Sequence, residues 1–102
     1  MSEICVLASL TAKEGKREEL LECFKHLIEE TRKEPGCIYY VLCESETSGC
    51  FTFVEKYKTL EDLETHMKLD HFTKAYPIVV ELVVDGKVDI KRLTNVIYLL
   101  FI

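Results

Sequence analysis

Hydrophobic and polar positions alternate in some stretches of the chain and recur at helical spacing in others. Residues 3–11 (EICVLASLT) set Ile4, Val6, Ala8 and Leu10 on one face and Cys5, Leu7 and Ser9 on the other. Both faces are apolar near the middle, which predicts a central strand covered on two sides. Residues 16–34 carry Leu20, Phe24, Leu27, Ile28 and Thr31 as the inward stripe of an amphipathic helix that Pro35-Gly36 ends. Residues 37–45 (CIYYVLCES) and 50–57 (CFTFVEKY) read as strands joined by a Thr47-Ser48-Gly49 turn, hence a hairpin. The third strand puts Phe51, Phe53, Glu55 and Tyr57 on one face.

Thr59 is a good N-cap for a helix over about 60–69, with Leu60, Leu63 and Met67 inward and His66 alongside. Asp70 is placed to cap a further helical segment through Phe72, Ala75, Val79 and Leu82, which Pro77 should kink or restart. After the Asp85-Gly86 turn, residues 87–98 form a last strand, followed by the apolar tail Leu99-Leu100-Phe101-Ile102. The order β-α-β-β-α-β predicts an α+β, ferredoxin-like fold: a four-stranded antiparallel sheet in the order 4-1-3-2 with both helices on one face. Its other face is apolar as well, so a second copy of the chain is the expected cover, and the tail is expected to cross onto it.

The length of 102 residues fits one domain over 1–102. A net charge of −5 and scattered basic residues argue against nucleic acid and anionic membranes as partners. The five cysteines form no C-x-x-C, and the chain opens without a secretory pattern, so reduced thiols and a cytoplasmic location are expected.

Four segments then align with a known family. T-A-K-E-G at 11–15, EPGCIYY at 34–40, F-x-F-x-E-x-Y at 51–57 and H-M-K-L-D-H-F at 66–72 resemble the antibiotic biosynthesis monooxygenases, dimeric α+β barrels. The resemblance implies a homodimer and a small-molecule substrate. It also implies, without a cofactor, oxidation of a quinol- or polyketide-like aromatic by O2. Other branches of the family degrade haem, act on autoinducer-2 phosphate, or have no known activity.

The expected pocket lies where the second helix faces strands one and three. His66 and His71 are the candidate bases, because histidine titrates near neutral pH. Phe53, Glu55, Tyr57, Phe72 and Tyr76 are the candidate substrate-binding residues. Haem-degrading members resemble one another in an asparagine, a tryptophan and a histidine where this chain has Ala8, His66 and Tyr76, so haem is not expected. No metal site is expected either. His66 and His71 lie about 140° apart around a continuous helix, and no third ligand is evident. The H-x4-H spacing resembles the autoinducer-2 phosphate branch, but Arg17, Arg32 and Arg92 fall at no obvious place beside the histidines. That tilts the choice towards an uncharged aromatic. The remaining alternative is a non-catalytic ligand-binding or stress-response dimer, which a filled helix–sheet interface would favour.

Overall fold

The computed structural model describes residues 2–96. Strands β1 (Ile4–Thr11), β2 (Cys37–Glu44), β3 (Cys50–Tyr57) and β4 (Asp89–Thr94) form one antiparallel sheet in the order β2-β3-β1-β4. This is the predicted order. Helices α1 (Arg17–Thr31), α2 (Leu60–His66) and α3 (Asp70–Leu82) complete the α+β fold.

Strict alternation in β1 and β3 creates the core. Val6, Ala8, Leu10, Phe51 and Phe53 are buried, whereas their neighbours in sequence are half-buried or, at Thr11, exposed. Phe24 of α1 meets Phe51 and Phe53 edge-on, with ring centroids 5.9 and 4.8 Å away. Ala75, Val79 and Leu82 of α3 close the same cluster.

Several boundaries differ from the sequence reading, each for a local reason. The second helix stops at His66 rather than near residue 69. The chain turns through Met67, Lys68 and Leu69 before α3 begins. Thr59 caps α2 as expected, its Oγ1 accepting the Asp62 N–H at 3.1 Å. Asp70 is not a cap: Leu69 holds that position in extended conformation, and Asp70 is the first helical residue. Pro77 does not break α3, which runs unbroken from Asp70 to Leu82. Both Pro77 and Thr73, whose carbonyl loses its i+4 partner, are exposed, so water satisfies the freed oxygen. The last strand spans Asp89–Thr94 rather than 87–98. Residues 97 and 98 and the tail 99–102 lie outside the described residues.

One close approach positions the site. Gly36, in the turn after α1, sits so near α2 that a Cβ there would lie 2.2 Å from Asp62 Cγ. The turn Glu34-Pro35-Gly36 is thereby seated on the start of α2, with the Lys58 N–H donating to the Gly36 carbonyl at 2.9 Å.

Candidate active site

The register aligns a row of helix-facing residues across the sheet: Tyr40, Glu55, Val6 and Arg92 are successive neighbours on β2, β3, β1 and β4. The next row holds Leu42, Phe53, Ala8 and Ile90. No described helix covers the β4 end of these rows, and Ile90 is 52% exposed. A cavity of about 90 Å³ results, bounded by these rows, Leu42 excepted, and by Leu63, His66, Phe72 and Tyr76 of α2 and α3. One water needs only ~10–15 Å³ on the same measure, so the space suits an organic ligand.

His66 is the side chain most closely held. It is 2% exposed and boxed by aromatic rings, with centroids of Tyr40, Tyr57 and Phe72 at 5.6, 5.4 and 5.1 Å. Its Nδ1 lies 2.8 Å from Glu34 Oε2. A carboxylate only accepts, so Nδ1 carries the ring proton and Nε2 keeps the lone pair. Burial pushes the His66 pKa down, and the Glu34 carboxylate opposes this without reversing it. The ring is therefore neutral at pH 7, which a base must be.

Glu55 is the second ionisable group on the cavity. Burial, aided by the charge on Glu34, raises its pKa to about 7 against the opposing hydrogen bond from Tyr57. The Tyr57 hydroxyl donates to Glu55 Oε1 at 2.7 Å. Glu55 is thus close to half-ionised at neutral pH and able to give or take a proton.

The structure brings Phe53, Glu55, His66, Phe72 and Tyr76 to the cavity wall. It places Tyr57 behind the wall, where the residue holds Glu55, and His71 off the wall, with Nε2 2.5 Å from the same Glu34 oxygen. The break between α2 and α3 removes the angular separation that a continuous helix would impose. The two imidazole centroids lie 6.1 Å apart, bridged by Glu34. Sequence reasoning missed Glu34, Tyr40 and Arg92. Glu34 stands in the EPG segment that reads merely as the end of α1, and its long-range role has no periodic signal. Arg92 is on the cavity wall, reaching it from β4.

Residues 3–77 match the antibiotic biosynthesis monooxygenase family. The chain belongs to that family. A conserved protein from Methanosarcina mazei has the same fold, with a TM-score of 0.85, 35% identity and coverage of 91% of this chain and 92% of that one. Rv0793 from Mycobacterium tuberculosis superposes with a TM-score of 0.90 at 27% identity, covering 95% of this chain and 98% of that one. The uncharacterized protein sll1783 of Synechocystis sp. is 34% identical over 70 residues, which are 68% of this chain and 48% of that protein. The chain thus spans about half the length of that curated relative. No described helix of this monooxygenase-family chain is long and apolar enough to cross a membrane.

Proposed function

We propose that this chain is a cofactor-independent monooxygenase of a small quinol- or polyketide-like aromatic, with His66 as base and Glu55 as its acid–base partner. The observation that carries the reading is the neutral His66, fixed by Glu34 through Nδ1 on the wall of an apolar cavity. For a polyketide-like substrate with an activated methylene, His66 Nε2 removes one proton. The resulting anion reduces O2 by one electron, the radical pair joins as a carbon-bound peroxide anion, and the proton held by His66 returns to it to give the hydroperoxide. Loss of the second C–H proton to a base, with hydroxide leaving as water on protonation by Glu55, gives the ketone. In sum, one methylene and one O2 become one carbonyl and one water, with all four electrons drawn from the substrate. The aromatic lining limits the water around the anion, while Phe53, Phe72 and Tyr76 supply stacking surface.

The test is O2 uptake by the purified protein with a panel of anthrone- and quinol-type compounds. Uptake that falls ~10²–10⁴-fold in His66→Ala supports the reading; no uptake with any compound, or uptake indifferent to that substitution, defeats it. Arg92 favours a second reading, an isomerase of a phosphorylated carbonyl compound, because it supplies the cation such a substrate needs. Protection of the thermal melt by sugar phosphates but not by aromatics would select it.

The unit proposed for this chemistry is a homodimer. The sheet face away from the helices carries Leu7, Val41 and Val54 in one row, which ends in Lys91, and Cys5, Tyr39 and Leu93 in the next, with Lys56 between Cys5 and Tyr39. Tyr39, Val41 and Leu93 are 39, 42 and 46% exposed. Exposed apolar side chains grouped on one sheet face are costly in water, and a second copy covers them with matching chemistry.

A further inference from the structure

We propose that Glu34, His66 and His71 form a binding site for a late first-row divalent cation, zinc above all, set behind the cavity. One ligand atom from each residue lies within 4.8 Å of the others, and Glu34 Oε2 contacts both His66 Nδ1 and His71 Nε2. Their side chains are only 9, 2 and 14% exposed. They come from three separate pieces of chain, the α1–β2 turn, the end of α2 and the start of α3, so the site exists only in the folded protein.

Charge points the same way. The Glu34 carboxylate is nearly buried, yet among the described residues no lysine or arginine pairs with it. Lys33 pairs with Glu30 at 2.7 Å, and Arg32 donates to the Tyr40 carbonyl. A nearly buried carboxylate whose ion-pair partners among the described residues are two imidazoles is a ligand set that a divalent ion can take over. Two imidazole nitrogens and one carboxylate oxygen suit zinc and its neighbours better than magnesium or calcium. Tetrahedral ligands at zinc distances stand ~3.3 Å apart, so the observed 2.8 and 2.5 Å contacts need open by less than ~1 Å and the two imidazole nitrogens, within 4.8 Å, need close by no more than ~1.5 Å. His71 also borders a surface groove with His26 and Glu30, which gives an ion a way in.

Occupancy would change the chemistry, a consequence that rests on the assignment of His66 as base. A neutral ring coordinated through Nδ1 carries its one proton on Nε2. The ion therefore converts Nε2, the nitrogen assigned as base, from acceptor to donor, and the base is switched off while the ion stays.

The experiment titrates ZnCl2 into the chelator-treated, full-length protein by calorimetry and CoCl2 by visible absorption, with MgCl2 as control. The expected results are one zinc per chain, a cobalt spectrum of a low-coordinate nitrogen–oxygen site, a higher Tm with zinc and no response to magnesium. His71→Ala and Glu34→Gln, checked for folding by circular dichroism, should each weaken zinc binding ~10–100-fold. No saturable zinc binding by the folded wild type, or binding that survives both substitutions, would overturn the site while leaving the base assignment standing. Zinc that binds but leaves O2 uptake unchanged would overturn the switch and the base assignment with it.

Discussion

At the scale of single residues, two buried ionisable groups set the pH behaviour. His66 is held neutral by burial, so the unfolded chain takes up its proton first as pH falls through about 6.5, and stability drops on the acid side. Glu55 runs the other way. Its pKa is raised to about 7, so its stabilising contribution is complete below its unfolded value near 4.5 and is lost as pH rises through about 7. Tyr57→Phe removes the donor that favours the ionised Glu55. The variant should lose on the order of 1–2 kcal/mol more at pH 8 than at pH 5, read from paired denaturant melts. Equal losses at both pH values would show that the hydroxyl does not set the Glu55 charge. Gly36→Ala tests the seat of Glu34. Its methyl would meet Asp62, so a loss of ~1–3 kcal/mol is expected by chemical denaturation; an unchanged midpoint would contradict the close approach.

Among the elements, α3 offers the cleanest test. Pro77 lies inside a continuous helix and removes a bond to the Thr73 carbonyl. Pro77→Ala restores that bond and should raise stability, by up to ~3 kcal/mol; a lower Tm would mean that the ring packs usefully against a neighbour. Much of this architecture was legible in the sequence. β3 came out with its observed ends, because alternation between Cys50 and Tyr57 is unbroken and glycine marks the turn before it. The break after His66 was not legible, because Met67 and Leu69 continue an apolar pattern that a helix could carry. That break is also what joins His66 to His71. The reading therefore found both histidines but not their shared carboxylate: Glu34 is 32 residues from His66 in sequence, and only the packing of the α1–β2 turn on α2 connects them. That the Tyr57 hydroxyl bonds Glu55, rather than reaching the cavity wall, was not legible for a related reason. Alternation gives the face on which a side chain lies, not whether a neighbour already claims its hydroxyl.

For the whole molecule, the bare sheet face and the cavity make separate claims. Leu7→Lys or Val54→Lys puts a charge in the middle of that face. Light scattering should find wild type at twice 11.8 kDa and either variant shifted to the single-chain mass, with the strand signal retained in circular dichroism. A wild-type monomer would remove the proposed pairing. The cavity rests on convergence: the sheet supplies Glu55, the turn after α1 supplies Glu34, and the α2–α3 break presents His66 between them. All of this serves to hold one imidazole with its proton on Nδ1 and a free lone pair on Nε2. Long-range 1H–15N correlation spectra of the histidine rings, recorded on chelator-treated protein near pH 7.5, read that state directly. The account predicts a neutral His66 protonated at Nδ1; an imidazolium, or a ring protonated at Nε2, would contradict it.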